Sequence, residues 1–207
     1  LIAAASVAIA GYLTLGATPW AVAALRWLYR WPLFIPFIVA AQTARAFLAR
    51  NGMMNGLLIE AGLLDPAAAQ SLLDWRGLVL TFAWKQIPFV TLLLAGAMAS
   101  VDRATVEAAR NLGAGRLRCL FGILLPQVRP TLMVALILSM VTIMSVLSAP
   151  MMIVAGSPTM MTAMMAHRVT YFGDYPVANA LGLFSYLLTA AAAWAYLRMS
   201  LSRQAAR

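Results

Sequence analysis

Charge is what this sequence has least of. Of its 207 residues 10% are charged, and only six are acidic. Soluble domains usually carry about 25% charged residues, so there is too little polar surface here to cover a water-soluble globule. Cysteine is reduced to Cys119, which excludes an internal disulfide, and its neighbours offer no metal-ligand spacing. The single histidine, His167, has no second His or Cys at ligand spacing and reads as a loop residue rather than a metal ligand. The single lysine, Lys85, lies in an apolar block, and no G-x-x-x-x-G-K-[ST] string exists to bind ATP in the usual phosphate-loop manner. Neither a G-x-S-x-G elbow nor an H-E-x-x-H pair occurs. A convergent Ser/His or Asp/Asp set, which an intramembrane enzyme would need, is also missing.

What is abundant is apolar surface. Hydrophobic residues make up 63% of the chain, and the mean hydropathy is +0.86. They come in blocks close to bilayer thickness, which takes roughly 20 residues of helix. The net charge of +9 does not indicate nucleic acid, because the arginines sit between apolar blocks and not on one face of a soluble module. Excess Lys and Arg is the ordinary mark of cytoplasmic loops in membrane proteins. The expected class is all-α, a polytopic transmembrane helix bundle with about five spans, forming one transmembrane domain over residues 1–207.

The first apolar block runs from Leu1 to Leu25 and is loosened by Gly11, Gly16 and Pro19. It lacks the charged n-region of a cleavable signal. Arg26 and Arg30, flanked by Trp27, Tyr29 and Trp31, fit a membrane–water boundary. A second, short block spans Pro32 to Leu48. Asp65-Pro66 predicts an N-cap and first helical position, hence a short interfacial helix from Pro66 to Leu73. A third block covers Gly77 to Ala99, a fourth Val128 to Ala149, and the last Val177 to Leu197. Ser157-Pro158 predicts the start of another short helix through Val169.

If the spans alternate sides, the segments around Arg26–Arg30, Asp102–Arg129 and Arg198–Arg207 share one side. That side holds ten arginines against two acids, a net +8; the other holds five basic and four acidic residues, a net +1. The positive-inside rule then places the Asp102–Arg129 loop and the C-terminus in the cytoplasm. It leaves the Leu1 end outside, which implies an earlier span not in this sequence.

Within the polar loop, Glu107-Ala108-Ala109 is followed after three residues by Gly113, and after nine more by Ile123-Leu124-Leu125-Pro126. Asp102 is placed to cap a helix from Arg103 to Leu112. Ala104, Ala108 and Leu112 form a stripe at i, i+4 spacing, with Ala109 beside it. Gly113 suits a left-handed helix end, a second short helix can begin near Ala114, and Pro126 stands near the start of the next span.

This string resembles the EAA loop, E-A-A-x3-G-x9-I-x-L-P, of inner-membrane permease subunits of binding-protein-dependent, type I ABC importers. Every named position is matched. Asn51-Gly52-Met53-Met54-Asn55 with Gly62-Leu63-Leu64-Asp65 looks like the external segment of such permeases, and Phe172-Gly173-Asp174-Tyr175-Pro176 like the lead-in to their last span. The resemblance covers roughly Tyr12 to the end, and the family's usual first span is not visible. Asn111-Leu112-Gly113-Ala114 is similar to the branch handling polyamines, ferric iron, thiamine or phosphonates.

The resemblance implies a coupling loop over about residues 101–126. Glu107, Ala108, Ala109 and Gly113 would form its core, Asp102, Arg103 and Arg110 its rim, and Pro126 its end. It also implies partners: an ABC ATPase dimer that carries the ATP and Mg, a second permease subunit, identical or paralogous, and a periplasmic or lipid-anchored substrate-binding protein. The chain itself would carry no cofactor and no metal, and would lie in the bacterial inner membrane in contact with lipid. An ATP-independent channel or scaffold is the rival reading, alongside the intramembrane enzyme.

Ser139, Thr142, Ser145 and Ser148, three apart in the fourth block, make a wandering stripe that fits helix packing or, for the first three, a substrate path. Lys85, beside Gln86, and Asp174 are ionisable groups near span ends and candidates for the same path; Lys85 may equally be read as snorkelling to the interface. Met151, Met152, Met160, Met161, Met164 and Met165 raise the thought of Cu(I), but thioethers also fill irregular packing gaps, and packing is expected.

Overall fold

The computed structural model describes residues 1–154 and 160–204, with side chains described for all of these except 195–197 and 199–204. Among the described residues the chain is helical and has no strand. The helices are α1 (Ile2–Leu15), α2 (Pro19–Leu28), α3 (Phe37–Leu48), α4 (Met53–Glu60), α5 (Trp75–Ala99), α6 (Arg103–Asn111), α7 (Arg116–Cys119), α8 (Leu125–Ser145), α9 (Ser148–Ile153), α10 (Met161–Phe172) and α11 (Tyr175–Gln204).

Three stretches are long and apolar enough to cross a membrane: Trp75–Ala99, Arg116–Ser145 and Tyr175–Trp194. A fourth results if Pro19–Phe34 and Phe37–Glu60 are one broken span, and α1 is a shorter apolar helix. The five apolar segments therefore divide differently from the sequence blocks. The first block breaks at Gly16, not at Arg26. Gly16 is extended (φ −65°, ψ 137°) and its N–H still bonds Tyr12 O, while Pro19 opens α2 and has no N–H with which to continue α1. Tyr12 Oη and Thr18 Oγ1, 2.9 Å apart, staple the break.

Contacts group the chain into two compact units. The first comprises Leu1–Phe34, Gln86–Met140 and Ala192–Arg207; the second comprises Ile35–Lys85 and Val141–Ala191. In the first unit, Val7 and Ala10 of α1 pack with Val90, Leu94 and Met98 of α5 and with Leu120, Leu124, Val128 and Ala135 of the α7–α8 rod. A Cβ on Gly11 would lie 2.7 Å from Leu120 Cδ1, so the glycine lets α1 close onto that rod. Lipid tails are as apolar as leucine, so close packing, not transfer from water, holds such helices together.

In the second unit, Ala41, Leu78, Phe82, Ala149 and Ile153 form the core, and the backbone is repeatedly broken. The predicted helix from Pro66 to Leu73 is only a 3-10 turn, Pro66–Ala68, although Asp65 caps it as expected through Ala67 N–H at 2.9 Å. The rest of the segment is drawn out of helical register by bonds to other elements. Leu72 N–H donates to Leu48 O at 3.0 Å, and Gln70 O accepts from Asn55 Nδ2 at 2.8 Å. The start predicted at Ser157-Pro158 lies outside the described residues, and α10 begins at Met161. His167 is inside α10, not in a loop.

The start of α8 holds Pro126. Pro126 is the second residue of α8, near the start as expected, but α8 continues the α7 helix into one rod, Arg116–Ser145. The rod absorbs the proline with a π turn over Leu120–Leu124, where Leu125 N–H bonds Leu120 O. A π turn shifts the bonding partner by one residue and spares the carbonyl that a proline cannot serve.

Candidate functional site

The segment after α5 builds a small elbow. Asp102 Oδ1 accepts from Ala104 N–H at 3.0 Å and caps α6. The helix ends in a Schellman motif: Gly113 N–H bonds Arg110 O at 2.9 Å and Ala114 N–H bonds Ala109 O at 3.0 Å. Gly113 has φ +85°, a conformation that costs a residue with a Cβ roughly 1–2 kcal/mol. Gly115 then precedes α7 with φ −69°.

The helix is two-faced. Val106 and Ala109 are partly buried, and Val106 packs against the first unit's core. Ala104, Ala108 and Leu112 are exposed, Leu112 at 90%. Glu107, Arg103 and Arg110 are exposed as well. Leu117 and Phe121, on the adjoining turns, are also exposed. The elbow thus offers an apolar, small-residue surface with charged edges, and among the described residues nothing covers that surface.

The other candidates separate. Lys85 is buried; its Nζ donates to Ile35 O and lies 5.0 Å from the Phe37 ring centroid. It therefore ties down the broken backbone before α3 and does not extend to the surface. Gln86 Nε2 donates to Ser139 O at 3.3 Å, and Ser139 Oγ is buried with no hydrogen-bond partner among the described residues. Thr142 and Ser145 are exposed, and Ser145 Oγ bonds Val141 O at 2.6 Å. Asp174 pairs with Arg168 at 3.6 Å and accepts from Val177 N–H at 3.3 Å, as the cap of α11.

Met151, Met164 and His167 line one open cavity of about 490 Å³, but His167 stacks on Tyr171, ring centroids 4.7 Å apart. Among the described residues no group of three or more His, Cys, Asp or Glu side chains is placed to hold a metal ion. The sequence named Asn55 only as the end of the Asn51–Asn55 string and gave no sign of its bonds. Asn55 is buried, and its Nδ2 serves the carbonyls of Ala49, Arg50 and Gln70. The only signal was an asparagine inside an otherwise apolar helix.

These features define a multi-pass membrane protein, all helical among the described residues, with an exposed elbow after α5. The chain belongs to the family of binding-protein-dependent transport system inner membrane components, whose model matches residues 6–202. It is 29% identical over 186 residues to the sulfoquinovosyl glycerol transport system permease protein SmoG of Agrobacterium fabrum, covering 84% of this chain and 60% of that protein. It is 27% identical over 185 residues to the trehalose/maltose transport system permease protein MalF of Thermococcus litoralis, with the same coverage. The chain thus spans about 60% of the length of these curated relatives. The fold is similar to a chain of the bacterial alginate ABC transporter crystallised with an alginate pentasaccharide-bound periplasmic protein. There the TM-score is 0.80 at 20% identity, over 96% of this chain and 71% of that one.

Proposed function

We propose that this chain is a membrane-spanning permease subunit of an ATP-driven importer, and that α6 is the lever through which a separate ATPase moves it. The observation that carries the reading is the elbow: a capped helix with Glu107, Ala108 and Ala109 on it, ended by a left-handed Gly113, whose Ala104–Ala108–Leu112 face is uncovered. Small side chains let another surface approach closely, and the two helix-end devices fix the angle at which the lever leaves the bundle. Asp102, Arg103 and Arg110 edge the contact, and Pro126 follows it in the rod. The ATPase dimer supplies ATP and Mg. A second permease subunit and an external substrate-binding protein complete the machine. The arginine-rich segments support a cytoplasmic elbow and C-terminus.

Two readings of the cargo rest on different observations. The Asn111-Leu112-Gly113-Ala114 string supports a polyamine, ferric iron, thiamine or phosphonate. The names of SmoG and MalF support a saccharide or a glycoside. Of the path candidates, Ser139 keeps that role best, since its buried Oγ has no partner among the described residues. Uptake of labelled sugar and labelled polyamine by vesicles holding the full transporter separates the two readings.

The lever is tested by Gly113→Pro. Proline fixes φ near −65°, against +85° at this position. The variant should insert normally yet lose ATPase co-purification and uptake, whereas Gly115→Ala, at φ −69° with open space around its Cβ, should keep both. Normal uptake by Gly113→Pro would remove the lever.

A further inference from the structure

Beside the elbow, within the first unit, lies an open cavity of about 590 Å³. Arg26 of α2, Arg30 in the turn after it, and Arg103 and Arg110 of α6 line it, and the one acidic group is Glu107. Four guanidinium groups against one carboxylate leave a net +3 around a single space. Among the described residues, none of the four arginines forms an ion pair within 4 Å. Arg30 Nε donates to the neighbouring Tyr29 Oη at 3.2 Å, and its guanidinium lies over that ring. Like charges this close repel unless an anion sits among them.

The remaining wall is apolar, with Leu13, Leu15, Leu92 and Leu124 among its residues. Trp27 and Trp31, next in sequence to Arg26 and Arg30, are exposed and packed edge to face at 4.7 Å. Exposed tryptophans mark the level of the headgroups. A polyanionic head with an apolar tail fits a basic floor beside an apolar wall, whereas a free phosphate would use only the floor. We propose that this cavity binds the phosphate headgroup of an anionic membrane lipid, with an acyl chain along the leucine wall. Bound there, the lipid bridges α2 and α6, so the lever is braced by the bilayer that it moves. The site stands on the cavity alone and does not depend on which cargo is carried.

The experiment uses the whole transporter, permease with its ATPase and binding protein, purified from membranes containing phosphatidylglycerol and phosphatidylethanolamine. Native mass spectrometry after detergent washing counts the phosphatidylglycerol retained. An Arg26→Gln/Arg30→Gln double variant should lose retention by on the order of tenfold or more, since each basic residue near the surface contributes to anionic-lipid binding. Arg45→Gln, outside the cavity, should retain the lipid as the parent does. Unchanged retention in the double variant overturns the proposal. So does displacement of the lipid by millimolar inorganic phosphate, which would make the site one for free anion. So does a disulfide crosslink from Arg26→Cys to an ATPase segment filling the cavity. Should the double variant fail to fold, the unmodified transporter in nanodiscs still decides. It should prefer phosphatidylglycerol over phosphatidylcholine, the preference falling as salt rises, and equal retention overturns the site.

Discussion

The two compact units differ in charge and in how their backbone breaks are held. The unit built from Leu1–Phe34, Gln86–Met140 and Ala192–Arg207 carries ten basic and two acidic residues, net +8; the other carries five and four, net +1. These are the same two sets of charges that the alternating-span reading of the sequence groups together. The unit boundaries fall inside the three long helices, between Lys85 and Gln86, Met140 and Val141, and Ala191 and Ala192. Charge asymmetry along the sequence and packing in three dimensions therefore divide the chain at the same places.

The holding devices contrast as sharply. The first unit breaks its helices at Gly16 and Gly113 and satisfies the freed groups mostly with neighbouring backbone. The second reaches across with polar side chains, from Asn55 to three carbonyls and from Lys85 to Ile35 O. Non-helical backbone at membrane depth is tolerated only where protein or water satisfies it. The second unit should therefore be the more fragile to single polar-to-apolar changes.

Asn55→Leu is the largest expected break in that contrast. It keeps the volume but strips the donor from three carbonyls, and each buried group left unsatisfied costs ~1–3 kcal/mol. Detergent-solubilised protein should lose several degrees in Tm, and hydrogen exchange should quicken over residues 63–73, where Gln70 is released. Exchange at α6 should not change. Equal acceleration in both regions would mean that the units do not melt separately.

Lys85→Met is expected to cost less, about 2 kcal/mol, by losing a charge-assisted bond and a cation–π contact. The loss should show as a lower Tm with faster exchange at the start of α3. If Lys85 instead belongs to the cargo path, uptake should fall far more than stability does.

The elbow was legible in the sequence almost to the residue. Cap, small-residue stripe and glycine are all local signals, and local backbone chemistry decides whether Asp102 caps and whether Gly113 turns left-handed. The all-helical class and the charge division were legible too, because hydropathy and arginine placement are one-dimensional quantities. What could not be read was set by partners distant in sequence. Asn55 meets Gln70 and Lys85 meets Ile35 only once the chain is folded, and the basic cavity gathers arginines from α2 and α6. The collapse of the Pro66–Leu73 helix to one turn has the same cause: its propensity and cap were right, but Leu48 and Asn55 compete for its backbone. The joining of α7 to α8 was missed because a π turn leaves no mark in the sequence beyond the proline itself.

On the first unit's side of the comparison, Asp102→Ala should remove one N-cap and cost about 1 kcal/mol. Because that helix is short and exposed, the cost should appear as fraying of residues 104–107 in hydrogen exchange, with little change in Tm. If α6 is the ATPase lever, affinity for the ATPase should fall about fivefold, the equivalent of that energy, and Asp102→Asn, which can still cap, should restore most of it. Fraying without any change in ATPase affinity would separate the helix from the coupling role.

The smallest effect belongs to Asp174→Asn. The Arg168–Asp174 pair is partly exposed, its side chains 44% and 28% accessible, and such pairs contribute only ~0–1 kcal/mol. Asparagine keeps an oxygen for the Val177 N–H, so the α11 cap survives, and Arg168 retains its place over the Phe172 ring. Tm should move by about a degree or less, while Asp174→Ala, which loses the cap as well, should move it further. The informative quantity is uptake measured beside Tm. A structural carboxylate changes both slightly and together. A tenfold fall in uptake by Asp174→Asn with an unmoved Tm would mean that the charge itself meets the cargo, and the second unit would then hold function as well as fragile backbone.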